Sequence, residues 1–436
     1  MTCQLGVLQH CFPPSIRCIL DDLPDSLDET YGRILREIKK PNQGHAHRLL
    51  QCLVAAVRPL TVKELAEVLA FDFDAEGIPK LILDWRWENE EEEIMSVCSN
   101  LVTIVNDRNS RIVQFSHFSV KEFLTAERLR VAKPFRDVSH YHIRLETAHM
   151  VLARACLGVL LRLDDGIDQD GIKNFPLAHY AGHYWPSHAR FQAVSSHIKD
   201  GLKCLFDIEK PHFATWLWIF KDASYHWEPM CTTRPEKPIA APLYFAASWG
   251  FRDLAEHLIS KHPEQIFDKG ASAVHIAATE GHADILSLLL EHGADVDGRD
   301  FGDMSPLHQA AWFGEVNAGK LLLDHGANVD VRCNDGFTPL FSATHHEDVE
   351  FARMLLEHGA EVNVRGKSSS DTPLHWAASD GRIETVRLLL DNGADANAGN
   401  IVGQIPSHMA GGPRWKEIVE LLSKYGAKHV KNRPLA

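Results

Sequence analysis

The 436-residue sequence predicts a mainly α-helical protein: an α-solenoid of about six stacked helix-pair units, preceded by a helical region interrupted by one small β-hairpin. Three observations carry this. Short markers recur through the C-terminal half with a period of 33 or 34 residues, alternating apolar runs occur as one adjacent pair, and helical periodicity fills most of the remainder. The composition, 45% hydrophobic and 24% charged, is that of an ordinary globular chain with ample length for a large core.

Asp25 or Ser26 can cap a first helix whose apolar stripe is Leu27, Tyr31, Ile34 and Leu35. A second helix runs from about Ala46 to Val57 and is broken by Arg58-Pro59-Leu60. Thr61 caps a third, Val62 to Ala70, and Glu64 three residues on completes a capping box. The acidic stretch Glu88 to Glu93 favours the positive N-terminal end of a helix running into Cys98. Leu101 to Val105 and Arg111 to Phe115 alternate around Asn106-Asp107-Arg108-Asn109-Ser110, a hairpin signature, and a helix from Ser119 through Leu124 follows. That order predicts a winged-helix-like domain over residues 21–133, after a short segment, 1–20. Residues 134–237 read as a helical spacer built from Tyr141 to Leu163, Phe175 to Phe191, Val194 to Phe206 and Phe213 to Phe220. Thr232 to Pro238, with two prolines, is the expected junction to a repeat domain over 238–436.

In that domain Gly-Ala pairs at 293, 326, 359, 393 and 426 share their period with Pro306, Pro339, Pro373 and Pro406. Ser305, Thr338 and Thr372 are N-caps, each followed by a proline at the first helical position, where its missing N–H costs nothing. Leu307, Ala310 and Ala311 make a short first helix, Leu321 to Leu323 give the second its apolar face, and Gly326 allows a left-handed C-cap. One unit cannot bury both faces, so units must stack. Six start near Pro238, Asp268, Asp300, Asn334, Gly366 and Asn400. The first and last depart from the pattern, as end caps should.

These boxes closely resemble the ankyrin repeat, a protein-binding solenoid. The words LPDSLDETYGRIL, RLLQCLVAAVRPLTVKELAEVLA, FSHFSVKEFL and PLYFAASWGFRDLAEHLI are similar to fungal NACHT–ankyrin proteins of the STAND class of signalling NTPases. In that family a nucleotide-binding NACHT domain precedes a winged helix, a helical spacer and ankyrin repeats; here the NACHT domain is missing, and residues 1–20 look like its C-terminal remnant. The resemblance implies that binding uses the β-hairpin fingers and the concave face of the first helices. Mapped onto this chain, those positions include Trp249, Gln309, Trp312, Phe313, His345, His346 and Trp376 on the concave face, and Phe301, Met304, Arg332, Phe337 and Arg365 on the fingers. Aromatics with arginine on an exposed surface mark an interaction patch. Trp249, Trp312 and Trp376 could equally pack between repeats. The resemblance also makes His117 the winged-helix histidine that contacts the β-phosphate of ADP if a NACHT domain is supplied. Without a phosphate cradle in the chain, His117 reads as a partly buried orienting residue.

The formal net charge is −14, and residues 239–436 carry 27 acidic against 17 basic side chains. That balance argues against nucleic acid and anionic lipid as partners and would steer a basic protein surface to the repeats. Val62 to Ala70 offers one lysine against two glutamates, which counts against a winged-helix DNA reader. Gly314 to Lys320 fits seven positions of a P-loop, but the eighth is Leu321, and the match lies across a repeat's turn and second helix. His179, His183 and His188 lack a metal-site context, and Asp164 to Gly171 puts Gly166 and Leu177 where calcium ligands belong. No catalytic motif appears. The expectation is a non-enzymatic interaction protein acting as a scaffold, adaptor or sensor, with protein partners and no cofactor, metal or small-molecule substrate. Nine irregularly spaced cysteines and no recognisable leader point to a cytoplasmic, reducing compartment.

Overall fold

Two compact units divide the chain, Met1–Pro238 and Ile239–Ala436. The computed structural model describes residues 26–74, 77–98, 100–107, 110–163, 166–224, 241–267 and 272–428. The segment read above as a remnant, 1–20, and the junction Thr232 to Pro238 lie outside the described residues.

In the first unit, α1 (Leu27–Glu37) starts at Ser26, whose hydroxyl accepts the Glu29 N–H at 3.2 Å. A 3-10 turn over Lys40–Asn42 leads directly into α2 (Gln43–Ala55), so this helix begins before the apolar pattern does. β1 (Leu60–Thr61) passes into α3 (Val62–Leu69) through a complete Thr61–Glu64 capping box. β2 (Phe71–Asp72) and β3 (Lys80–Leu81) form a two-residue antiparallel pair. α4 (Glu90–Cys98) then leads to β4 (Val102–Asp107) and β5 (Ser110–Phe115). The sheet order is β1-β5-β4, all antiparallel, with Val113 opposite both Leu60 and Ile104. Helices α2, α3 and α4 pack against these strands, a winged-helix arrangement, and α5 (Phe118–Thr125) and α6 (Glu127–Val131) complete it.

The spacer shares this core. Its first long helix, α7 (Leu145–Leu160), packs against both α2 and α9 (Ala178–Ala189). Periodicity predicts a start at Tyr141; the Ile143 N–H is instead held by the Leu124 carbonyl of α5 at 2.8 Å, which keeps the chain extended until Arg144. α8 (Gln169–Ile172), α10 (Val194–His197), α11 (Lys199–Leu205) and α12 (His212–Ser224) follow. Glu67 of α3, 2% exposed, accepts the Leu177 N–H at 2.7 Å and pairs with Arg86, which also donates to the Asn174 carbonyl at 2.9 Å. The Tyr180 hydroxyl accepts the Val57 N–H and hydrogen-bonds Nε2 of fully buried His188 at 2.9 Å.

Pro186 sits inside α9 and has no N–H for the Gly182 carbonyl four residues back. The indole Nε1–H of buried Trp216, on α12, fills that place at 3.0 Å. Gly182 lets the two helices approach, since a Cβ there would meet Ile219 at 2.5 Å. Replacing Trp216 by Phe keeps most of the packing but orphans the carbonyl. It should cost about 1–3 kcal/mol in urea unfolding; an unchanged midpoint would show that the carbonyl finds another donor.

Among the described residues the second unit holds six helix pairs: α13 (Pro242–Ser248) with α14 (Arg252–Lys261), α15 (Ala273–Thr279) with α16 (Ala283–Glu291), α17 (Pro306–Phe313) with α18 (Val316–Asp324), α19 (Pro339–Ala343) with α20 (Glu350–Glu357), α21 (Pro373–Ser379) with α22 (Ile383–Asp391), and α23 (Pro406–Met409) with α24 (Trp415–Lys424). Three kinds of bond recur between successive repeats from the second onward, and all three are present where repeat two meets three and repeat three meets four. Nε2 of His275, His308 and His375 donates to the carbonyls of Met304, Phe337 and Gln404 at 3.0–3.1 Å. Asp297, Asp330, Asn363 and Asn397 each accept an N–H from the following repeat at 2.8–3.1 Å. Arg299, Arg332 and Arg365 donate forward to the carbonyls of Arg332, Arg365 and Gly399.

The fourth repeat breaks the pattern. Phe341 stands where the neighbours have histidine, so the buried Thr338 hydroxyl is left without a hydrogen-bond partner among the described residues. Ser305 and Thr372 instead contact Nδ1 of His308 and His375 at 2.9 Å. The turn after α19 also lacks the glycine of the other repeats: Glu347 and Asp348 occupy the place of Gly314 and Glu315.

Candidate protein-binding face

The first helices end in a row of side chains at the inter-helix turns. In the third repeat this row is Trp312 and Phe313, 43% and 51% exposed, although both belong to a helix whose other face is fully buried. The row continues into a packed aromatic cluster. The Trp312 ring lies 4.4 Å from His345, which lies 5.1 Å from Trp376, and Trp376 meets Phe337 at 4.6 Å and Phe341 at 5.6 Å. His345 is fixed from the far side by Asp380, 2.7 Å from Nδ1. His346 donates from Nε2 to the Trp312 carbonyl at 2.6 Å, anchoring the irregular turn of repeat four to the end of α17. The substitution of Phe341 for histidine therefore exchanges an inter-repeat bond for a ring contact with Phe337 and Trp376.

The residues picked out from sequence fall into two groups. Trp312, Phe313 and Phe301, the last 88% exposed at a fingertip, present apolar surface. The others are held by the fold. Trp249 packs between Phe245 and Phe251, Phe337 and Trp376 lie half-buried in the cluster, and Gln309 donates to Asp300 at 2.8 Å. Met304 is half-buried, and its carbonyl receives the His275 bond. Arg332 and Arg365 spend a donor each on the next finger's carbonyl, so their first role is to staple fingers. The three staples lie 33 residues apart, a spacing visible in the sequence; the final repeat has Gly399 in that place. Sequence reasoning missed Ile401 and Val402, exposed on the last finger, because that repeat departs from the pattern used to map positions.

In the first unit His117 is exposed and caps α5. Its Nδ1 accepts the Ser119 N–H at 3.3 Å and lies 2.6 Å from the Ser119 hydroxyl, which in turn contacts the Tyr31 hydroxyl at 2.7 Å. An accepting Nδ1 puts the ring proton on Nε2. Phe118, against the His117 ring at 4.4 Å, is also exposed and was not anticipated. The helix before the hairpin is α4, with Glu90 to Glu93 in its first turn. His188, read as one of three clustered histidines, is buried between Tyr180 and His149, while His183 bonds the His179 carbonyl. No described helix is long and apolar enough to cross a membrane.

Residues 243–333 and 300–366 match the family model for ankyrin repeats in three copies, 370–401 match the single ankyrin repeat, and 35–133 match the winged helix domain of GPI inositol-deacylase. The chain carries ankyrin repeats and a winged helix of the GPI inositol-deacylase type. A curated relative, azaphilone pigments biosynthesis cluster protein L of Monascus ruber, is 31% identical over 296 residues, 64% of this chain and 61% of its own length. The chain thus spans about three-fifths of that relative. Among solved structures, the ankyrin repeat domain of Bcl-3, described as a unique member of the IkappaB protein family, is 25% identical, with a TM-score of 0.41, and covers 44% of this chain and 89% of that one. Ankyrin repeats indicate a protein-binding role.

Proposed function

We propose that this chain is a non-catalytic interaction protein, a scaffold, adaptor or sensor, that binds another protein through the Trp312–Phe313 step of its ankyrin array. The observation that carries it is a pair of adjacent large aromatics held at a helix end in the open, backed by the cluster His345, Trp376, Phe337 and Phe341. A rigid, half-exposed tryptophan offers large contact area at little cost in side-chain entropy. Repeat four gives up a capping bond at Thr338 to build that backing, and local rules are most often broken where a protein does its work. The P-loop-like heptad supports the non-enzymatic reading: Gly314 caps a helix with φ +77°, and Gly319 donates within α18, so these amides serve the turn and helix. Glu90 to Glu93 before the wing, and the net charge, support protein over nucleic acid. Buried free thiols at Cys52, Cys98, Cys156 and Cys333 support a reducing intracellular site.

The test is affinity capture with the wild-type chain and with Trp312→Ala/Phe313→Ala, quantified by mass spectrometry. Partners retained by the first should be lost from the second by about thirtyfold, the effect of removing a hot spot. Partners indifferent to the change would move the site elsewhere. Hydrolysis of ATP or GTP by the purified chain would overturn the non-enzymatic reading.

A second reading, the regulatory part of a STAND-type NTPase switch working with a nucleotide domain outside this sequence, is favoured by His117. Its Nδ1 is occupied, so an exposed Nε2–H is left to donate to an oxyanion. ADP binding that needs an added NACHT domain and is weakened by His117→Ala would support it.

A further inference from the structure

The middle of the turn row that carries Trp312 and Phe313 is acidic. Across repeats two to five it holds Glu280, Glu315, Glu347, Asp348 and Asp380, against Arg382 as its one lysine or arginine. The row is continuous. Glu315 folds over Gly281, beside Glu280, where a side chain would collide with its carboxylate. The His346 ring covers Gly314, next to Phe313. Asp380 holds His345 against Trp312, and Arg382 is tied to Glu347 at 2.8 Å. The carboxylates of Glu280 and Glu347 stand in solvent, the latter side chain 89% exposed.

From this charge pattern, and resting on the protein-binding reading above, we infer that the occupant of the Trp312–Phe313 step is a basic polypeptide segment: one arginine or lysine lies on the Trp312 ring while neighbouring cations meet Glu280, Glu347 and Asp348. Two features select this chemistry together. A half-exposed indole attracts a cation through its ring quadrupole, and guanidinium stacks on it best. A row of carboxylates running past the aromatic step steers cationic segments in and penalises others, because a neutral or acidic segment would desolvate those charges without pairing them. Nucleic acid and anionic lipid carry the wrong sign for this row.

The experiment is selection of phage-displayed random 16-residue peptides on the full-length chain at low ionic strength. Enriched sequences should carry several Arg or Lys residues. A fluorescein-labelled copy should bind the whole chain with an affinity that drops about tenfold on moving to physiological salt. It should lose about tenfold or more in Glu280→Lys/Glu347→Lys, at exposed side chains that leave the core alone, and likewise in Trp312→Ala/Phe313→Ala. Enrichment of neutral or acidic peptides, failure to enrich any, or binding that ignores the charge reversal overturns the inference. Neutral peptides that still depend on Trp312 and Phe313 would overturn only the basic-partner inference. Peptides of any charge that ignore both aromatics would sink the site as well.

Discussion

Lowering the pH from 6.5 to about 4 will strip the repeat array of roughly 3 kcal/mol of stability through His308 alone. This imidazole is buried, and desolvation holds its pKa down to about 4, against a smaller opposing pull from its bond to the Phe337 carbonyl. Geometry gives the same answer. Nδ1 accepts the Ser305 N–H at 3.1 Å while Nε2–H donates to Phe337, so a second proton can enter only by breaking the cap. The unfolded chain takes up that proton below pH 6.5 and the folded one does not, so stability is full above this value and is lost as pH falls toward about 4. His275 and His375 are shifted down by the same burial, so they add to the slope. Urea unfolding of the full chain at a series of pH values, read by hydrogen exchange in the peptides of α17 and α21, measures it. A midpoint flat between neutrality and about pH 5 would show that the array tolerates imidazolium.

Arg86→Met should destabilise the first unit by roughly 3–5 kcal/mol, the cost of leaving a buried charge without its partner. Glu67 is almost sealed, and burial already pushes its carboxyl pKa up despite the Leu177 N–H and Arg86. Removing the guanidinium leaves a carboxylate facing one amide. The deficit should shrink as the pH is lowered, because a protonated Glu67 needs no counter-charge. Adding Glu67→Gln to Arg86→Met should recover much of the loss, since the amide oxygen still accepts from Leu177. If Arg86→Met alone costs less than about 1 kcal/mol, the pair behaves as a surface ion pair and the α3 clamp is weaker than its burial implies.

The repeat half was legible because its signals are local. A capping residue, a proline and a terminal glycine act within one turn, and their recurrence at one period leaves little freedom. The same holds for Ser26 and for the Thr61–Glu64 box. What escaped depends on distant partners. The delayed start of α7 follows from a carbonyl on α5, and the tolerance of Pro186 inside α9 follows from an indole on α12. Glu64 and Glu67 look alike in sequence, yet Glu64 completes a local cap while Glu67 reaches a residue 110 positions away. The candidate site divides in the same way. Its aromatics were found by position within the repeat; that Arg332 and Arg365 serve as staples required seeing where the next finger's carbonyl lies.

The stitches that recur from unit to unit run forward: where present, the histidine, the aspartate or asparagine and the arginine of one unit each bond to the next unit along the chain. Such one-way grammar makes length adjustable. Duplicating or excising a whole unit leaves each surviving donor facing an equivalent acceptor, whereas a cut within a unit strands its forward bonds together. Gly399, where a fourth arginine would fall, reads as the full stop of that grammar. Reach, and with it the span of partner that can be gripped, can then be tuned by gene duplication without redesigning any interface.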